Sequence, residues 1–216
     1  MIKILYEDNH LLVVVKPVNM PVCEDESKDL DLLTYLKDYL KQKYNKPGNV
    51  YLGLVHRLDR PVSGVMVFAK TSKAASRLSE QVRTNKLTKE YHAIVIGKIK
   101  ENGTYKDKLL KDTKRNISKV SENGKEAILS YELIKYDIKN NYSLVKINLK
   151  TGRSHQIRVQ MSYHGNPLVG DNKYGKDSLK IPVCLFASKL KFIHPITKEE
   201  MCFEVSLPEY KPWNIF

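Results

Sequence analysis

Short apolar runs separated by turns are the feature of this sequence that most constrains its fold. No uninterrupted apolar run is longer than that of Leu11 to Val15, which is far too short for a helix that spans a membrane. Runs of this kind, β-branched or alternating, predict short strands at Ile2–Tyr6, Leu11–Val15, Tyr51–Val55, Val65–Ala69, Glu90–Ile96, Ile128–Leu133, Tyr142–Leu149, Val183–Ala187 and Met201–Val205. Because no repeat or linker divides the chain, we expect one domain, residues 1–216, with a sizeable core.

Helical periodicity is confined to three segments. Residues 29–43 carry leucines on one face, residues up to Arg83 follow a candidate N-cap at Thr71 or Ser72, and a short helix capped by Ser154 stops at Gly165. Strands therefore outnumber helices and do not alternate with them regularly. This pattern predicts an α+β fold, with a mixed, mainly antiparallel central β-sheet flanked by helices and loops.

The charge of the chain indicates an anionic partner. Lys and Arg number 37 against 24 Asp and Glu, so the formal net charge is +13, and RNA or DNA is the commonest partner of such a protein. The N-terminus reaches acidic residues too early for a signal peptide. Three widely separated cysteines offer neither a disulfide framework nor a CxxC metal site. We therefore expect a cytoplasmic protein that contacts no membrane.

The segment Lys106–Lys125 is strongly basic. Its cations are Lys106, Lys108, Lys111, Lys114, Arg115, Lys119 and Lys125. The interpretation that we favour is a solvated excursion or a twisted hairpin. The functional alternative is a loop that binds phosphate groups.

An acidic cluster precedes the first predicted helix and comprises Glu24, Asp25, Glu26, Asp29 and Asp31. Calcium binding is disfavoured because the glycine and the terminal glutamate of an EF-hand loop are missing. The favourable placement of negative charge at a helix N-terminus explains the cluster more simply.

A polar loop between two predicted strands, residues 55–64, holds Asp59 between Arg57 and Arg60. Asp59 is the only carboxylate of this loop and its flanking strands, and its cationic neighbours favour its ionised form. In isolation, a surface ion-pair turn explains this motif as well as a catalytic carboxylate does. A glycosidase with paired carboxylates is disfavoured because no second acid lies nearby in the sequence.

Residues 150–160 place Arg153, His155 and Arg158 around a predicted helix start. The helix macrodipole disfavours cations there, so we expect an anion to balance them, either an RNA phosphate or an ionised aspartate. A zinc site is disfavoured because His155 and His164 have neither a ligand spacing nor companion ligands.

A third stretch, residues 89–94, predicts a strand with Tyr91, Ala93 and Val95 on one face. A tyrosine on a strand usually belongs to the core. Beside a basic cleft, however, its ring can stack on a flipped base.

Taken together, these motifs resemble the RluA-type family of RNA pseudouridine synthases. The matching blocks stand in family order and span nearly the whole chain: Val13–Pro17, His56–Asp59 with Ser63–Gly64, Phe68–Thr71, Lys89–Tyr91, Thr151–Arg158, Gly170–Asp171 with Tyr174–Gly175, and His194–Pro195. The resemblance implies the pseudouridine synthase fold and the isomerisation of uridine to pseudouridine in structured ribosomal or transfer RNA. That reaction is redox-neutral, so the resemblance implies no cofactor and no metal.

The resemblance also implies roles for individual residues. Asp59 takes the place of the catalytic aspartate, whether that group attacks ribose C1′, attacks uracil C6 or helps to remove the C2′ proton. Tyr91 matches the tyrosine that stacks on the target base and is a candidate proton acceptor, and Arg158 matches the basic residue that pairs with the aspartate. Arg57 matches the arginine that enters the RNA stack when the target nucleotide is extruded. The remaining residues expected to contact RNA or line its cleft are Lys16, Arg60, Arg153, His155 and Gln156.

The chain departs from the family pattern at Val62, where Thr is usual, and at Phe186, where many members carry His. Neither change touches the three candidate catalytic residues. Because few residues precede Val13–Pro17, we expect no N-terminal S4-like RNA-binding domain, so that RNA selection rests on the catalytic domain. A monomer is the default expectation.

Two other classes of protein are alternatives to this one. A non-catalytic RNA-binding or ribosome-assembly module is the main alternative, but it has no need of the intact catalytic set. A zinc-dependent base deaminase is disfavoured because the His-x-Glu and Pro-Cys-x-x-Cys signature is missing.

Overall fold

The computed structural model describes residues 2–175 and 179–216. They form three helices, α1 (Leu32–Lys43), α2 (Ser72–Arg83) and α3 (Gln156–Tyr163), and a 3-10 turn at Trp213–Ile215. The strands are β1 (Lys3–Glu7), β2 (Leu11–Lys16), β3 (Gly53–Leu54), β4 (Ser63–Ala69), β5 (Thr88–Ile96), β6 (Asn102–Asp112), β7 (Ile117–Val120), β8 (Lys125–Asp137), β9 (Tyr142–Leu149), β10 (Leu185–Ile193) and β11 (Glu200–Glu204).

The chain divides into two compact units. Unit 1 consists of Met1–Thr88 and Lys189–Val205, and unit 2 consists of Lys89–Ser188 and Ser206–Phe216. The boundary falls inside β10, whose first residues belong to unit 2 and whose last residues belong to unit 1. A single catalytic domain over residues 1–216 stays a prediction.

The sheet of unit 1 has the strand order β1-β2-β4-β10, with β3 beside β4 and β11 beside β10. The pairs β1–β2, β2–β4, β3–β4 and β10–β11 are antiparallel. Alternate residues of β2 and β4, such as Val13 and Val67, pack with Ala74 and Leu78 of α2 in a buried apolar cluster. This packing stabilises α2, because burial of one apolar face supplies most of the stability of a helix in a protein.

Side-chain caps define the starts of both helices of unit 1. The Thr71 hydroxyl accepts a hydrogen bond from the Ala74 N–H at 3.2 Å, so the predicted start of α2 is confirmed. The Asp31 carboxylate accepts one from the Thr34 N–H at 3.0 Å. Helix α1 therefore begins at Leu32, slightly later than the sequence predicts, because the cap residue itself keeps an extended backbone.

Unit 2 has the strand order β10-β5-β9-β8-β6-β7, and the pairs β5–β9, β9–β8, β8–β6 and β6–β7 are antiparallel. The basic segment 106–125 runs along β6 and β7 and reaches the first residue of β8, and β6 and β7 pair antiparallel, so the predicted hairpin is confirmed. An α+β fold with mainly antiparallel strands is likewise confirmed. None of the helices in the described residues is long and apolar enough to cross a membrane.

Candidate active site

The loop that carries Asp59 joins β3 to β4 in unit 1, and Asp59 is partly buried in it. The buried ring of His56 accepts a hydrogen bond at Nε2 from the Val67 N–H of β4, with the two nitrogens 3.1 Å apart. The Val62 N–H donates to the Asp59 carbonyl oxygen at 3.0 Å. Hydrogen bonds therefore fix the backbone before and after the carboxylate. The exposed side chains of the loop are those of Arg57 and Arg60.

Lys16, the last residue of β2, is fully buried. Its Nζ donates to the carbonyl oxygens of Pro17 at 2.9 Å, Arg60 at 2.9 Å and Val62 at 2.7 Å. The ammonium group has three protons, and each has an acceptor here. Burial lowers the pKa of Lys16 to about 7, while the negative charge of Asp59 acts in the opposite direction. Lys16 thus holds the Asp59 loop through the carbonyl groups of Arg60 and Val62.

Arg60 binds the acidic cluster. Its Nη1 donates to the Ser27 hydroxyl at 2.8 Å and lies 3.7 Å from Asp25 Oδ2, and its Nη2 forms an ion pair with Asp29. The hydrogen bond from Arg60 lowers the pKa of Asp29. The sequence-based explanation of the cluster, a helix N-terminus, holds for Asp31 alone. The sequence did not indicate the contact between Arg60 and this cluster, because Arg60 is far from Asp25 and Asp29 along the chain.

Tyr91 lies on β5 in unit 2, where it pairs with Ile147 of β9. Its side chain is 5% exposed, and Ala93 and Val95, which alternate with it along the strand, are fully buried. On the opposite face, His92 Nδ1 lies 2.8 Å from the Ser188 hydroxyl. Tyr91 is therefore at the less buried end of an otherwise apolar strand face.

Arg158, on α3, forms a buried two-point ion pair. Its Nε donates to Asp171 Oδ2 at 2.8 Å and its Nη2 donates to Asp171 Oδ1 at 2.7 Å. Asp171 Oδ1 also accepts from the N–H groups of Lys173 and Tyr174. The guanidinium carbon lies 5.2 Å from the centre of the Tyr174 ring. Asp171 belongs to a matched motif, but sequence reasoning gave it no role.

The loop before α3 does not use the predicted cap. His155, not Ser154, is the N-cap residue; its φ is 54°, and its side chain makes no capping hydrogen bond to α3. The prediction of a Ser154 cap is therefore wrong, because the left-handed backbone at His155 moves the helix start beyond Ser154. His155 Nδ1 lies 2.6 Å from the Tyr174 hydroxyl oxygen, which also accepts from the Ser118 N–H at 2.8 Å.

Gln156 and Arg153 complete this loop. The buried Gln156 Oε1 accepts from the Thr151 hydroxyl at 2.7 Å and from the Arg153 N–H at 3.0 Å. The exposed Arg153 donates from Nε to the Glu126 carbonyl oxygen at 2.8 Å. The Gln156 amide therefore organises the loop from inside, and the Arg153 guanidinium stays at the surface.

The candidate residues are divided between the two units. Unit 1 holds Lys16, Arg57, Asp59 and Arg60, and unit 2 holds Tyr91, Arg153, His155, Gln156 and Arg158. Within unit 2, His155 and Arg158 both contact the Tyr174 side chain, His155 at its hydroxyl group and Arg158 at its ring. The pairing of Arg158 with Asp59 stays a prediction. Residues 2–175 and 179–216 contain no group of three or more His, Cys, Asp or Glu placed to hold a metal ion.

Comparison with known proteins identifies the family. A model described as RNA pseudouridylate synthase matches residues 10–163, a range that includes Lys16, Asp59, Tyr91 and Arg158. The chain belongs to this family. It is an enzyme that isomerises uridine in RNA to pseudouridine, and the RluA-type resemblance is confirmed.

Individual relatives agree with this assignment. The uncharacterized RNA pseudouridine synthase YhcT of Bacillus subtilis is 36% identical over 208 residues, which are 95% of this chain and 68% of the relative. Ribosomal large subunit pseudouridine synthase D of Vibrio vulnificus is 34% identical over 224 residues, covering 95% of this chain and 67% of the relative. The structure of human RNA pseudouridylate synthase domain containing 4 aligns with a TM-score of 0.80 and 25% identity, over 95% of this chain and 88% of the human chain.

Proposed function

We propose that Asp59 is the catalytic carboxylate and that it acts at the glycosidic bond of the target uridine. The bond between uracil N1 and ribose C1′ breaks, the base turns, and C5 forms the new bond to C1′. C5 loses its proton and N1 takes one up, so the reaction consumes no cofactor. The observation that carries the assignment is the fixation of the Asp59 loop by Lys16 at two carbonyl oxygens, since a catalytic group needs a rigidly held position.

Tyr91 and Arg158 complete the proposed machinery. Tyr91, almost fully buried, stacks its ring on the extruded uracil. Arg158 supplies the positive charge that pairs with the ionised Asp59. Its bond to Asp171 supports this role, because a two-point contact fixes the plane of a guanidinium group.

The other predicted site residues divide into two groups. The exposed Arg57 and Arg153 contact RNA, with Arg57 entering the stack that the uridine leaves. The buried Lys16 and Gln156 position loops, and His155 does so through Tyr174. Arg60 divides its charge between RNA and the acidic cluster.

The proposed substrate is large-subunit ribosomal RNA, and the proposed compartment is the cytoplasm, where the enzyme acts as a monomer. Several relatives bear the name ribosomal large subunit pseudouridine synthase D. The tip of the β6–β7 hairpin binds RNA phosphates through exposed cations. They are Lys111, Lys114 and Arg115.

Release of tritium from C5 of uracil tests the catalytic assignment. Cellular RNA labelled at that position is incubated with the enzyme, and release is expected with the wild type and not with Asp59→Ala. Asp29→Ala is the matched control, because it removes an exposed carboxylate whose contacts are with the Arg60 and Ser27 side chains. Normal release by Asp59→Ala would disprove the role of Asp59. No release by the wild-type enzyme would leave the non-catalytic RNA-binding module as the better account.

The same assay tests the substrate class, and a measurement of RNA binding tests the hairpin. We expect release from the large-subunit ribosomal fraction and none from transfer RNA; the reverse would overturn the proposed substrate. Replacing Lys111, Lys114 and Arg115 with Gln is expected to weaken RNA binding and to flatten its dependence on salt. An unchanged salt dependence would show that the hairpin is a solvated surface element that does not bind RNA.

A further inference from the structure

Lys89 shares a strand face with Tyr91 in unit 2. The two residues are two positions apart on β5, so their side chains point to the same side and their Cα atoms are about 7 Å apart. Burial decreases along this face, from fully buried Ala93 to Tyr91 at 5% exposure and then to the partly buried Lys89. Among the β5 residues on this face, Lys89 is therefore the most exposed.

Lys89 is a desolvated cation with no partner among the residues that the structure describes. Its ammonium group makes no hydrogen bond or ion pair within residues 2–175 and 179–216. Burial alone lowers its pKa, and no carboxylate offsets that effect. Removing a charge from water without a compensating partner costs free energy, and an anion that binds at this position would offset the cost.

We propose that Lys89 binds a backbone phosphate of the RNA beside the target uridine, while Tyr91 stacks on its base. In an extruded nucleotide the base enters the protein first and the phosphate stays nearer the surface. The order of burial along β5, with Tyr91 deeper and Lys89 more exposed, matches that arrangement. The ammonium and the ring would then hold the two ends of one nucleotide. This inference rests on the proposed stacking role of Tyr91.

The test replaces Lys89 with Met, which keeps the length of the side chain and removes its charge. Lys100→Met is the matched control, because Lys100 is an exposed lysine of the same unit. Retention of C5-labelled cellular RNA is measured against salt in the Asp59→Ala background, and tritium release is measured against RNA concentration with Asp59 intact. Lys89→Met is expected to weaken binding about tenfold and to reduce the slope of log affinity against log salt by about 0.7, the value for one phosphate contact with a single strand.

Two further measurements decide the proposal. Lys89→Met is expected to raise the apparent KM much more than it lowers kcat, and Lys89→Arg is expected to restore most of the affinity. Unchanged affinity and salt slope in Lys89→Met would overturn the phosphate contact, and so would a loss confined to kcat. Because the binding arm needs no turnover, failure of the phosphate contact is distinguishable from failure of the catalytic proposal, which would abolish tritium release by the wild type.

Discussion

Lys16 of unit 1 and Lys89 of unit 2 are both desolvated lysines, and their surroundings are opposite. Burial lowers the pKa of each ammonium group. Lys16 directs three hydrogen bonds to carbonyl oxygens, whereas Lys89 has no acceptor in the part of the chain that the structure describes. Burial alone therefore does not define what a lysine does. The partner atoms do.

This difference assigns the two cations to different tasks. Lys16 satisfies groups of its own protein, so its charge is used in holding the Asp59 loop. Lys89 has unused hydrogen-bond donors beside the residue proposed to stack on uracil, so its charge is available to a ligand. Arg158 is a third case, because its partner is the charged carboxylate of Asp171.

The largest effect is expected when the charged partner of a buried cation is left alone. Arg158→Met leaves the fully buried Asp171 without its cation and is expected to lower the free energy of unfolding by about 3–5 kcal/mol. Arg158→Met combined with Asp171→Leu is expected to be less destabilised than Arg158→Met. Urea unfolding measures both, with the exposed Arg115→Met as a control. A change of under about 1 kcal/mol in Arg158→Met would contradict the buried-pair account.

Lys16→Met is expected to lower the free energy of unfolding somewhat less than Arg158→Met does. Three carbonyl oxygens lose a donor, each worth about 1–3 kcal/mol, but the desolvation of the ammonium is relieved. The net expected loss in the free energy of unfolding is about 2–3 kcal/mol, together with a fall in kcat from displacement of the Asp59 loop. The exposed Lys3→Met is the control. Full stability and full activity in Lys16→Met would remove the distinction between the two lysines.

Glu7 extends the comparison to a buried acid and gives a dependence on pH. Burial raises its pKa, but hydrogen bonds from Lys43, Tyr44, Lys70 and Tyr39 outweigh that effect and lower it from 4.5 to about 2. The folded protein therefore binds fewer protons at Glu7 than the unfolded chain does between these values.

The stabilisation by Glu7 is accordingly complete above pH 4.5 and is lost as the pH falls toward 2. Glu7→Gln is expected to lower the free energy of unfolding by about 2 kcal/mol at neutral pH. The difference from the wild type should shrink as the pH falls through that range. A difference that is independent of pH would show that the Glu7 charge is not what stabilises the contact.

The smallest effect, and one of opposite sign, is expected for Lys89. Lys89→Met removes a desolvated charge that no group in residues 2–175 and 179–216 balances, so it is expected to raise the free energy of unfolding by about 1 kcal/mol. Thermal unfolding without RNA measures this gain. A loss of stability would mean that Lys89 supports the fold, as Lys16 does.

Local patterns predicted the regular parts of the fold. The apolar run of β2, the alternation in β9 and the threonine cap of α2 each identify an element without outside help. Strand β6 was predicted only in part, as an arm of a hairpin within residues 106–125, because exposed lysines alternate with residues that only the neighbouring strands bury. β6 forms a strand by pairing with β8, and the residues of β8 lie outside the short stretch of sequence from which a strand is predicted.

In the candidate site, too, local motifs were predictable from the sequence and long-range contacts were not. The motifs around Asp59, Tyr91 and Arg158 were recognisable because their residue order is specific. The contacts that hold these motifs in place were not recognisable. Arg158 binds Asp171 and Arg60 binds Asp29, and in each pair the two residues are well separated in the sequence. His155 breaks the rules for a helix start, and such departures concentrate where function constrains the backbone.

The most direct test of the central claim is pseudouridine mapping of large-subunit ribosomal RNA in cells that lack this enzyme. We expect one or more uridines to lose modification in those cells and to regain it with the wild-type gene. Asp59→Asn, which keeps the shape of the side chain and removes its charge, should not restore any of them. Restoration by Asp59→Asn would contradict the proposed role of the Asp59 carboxylate.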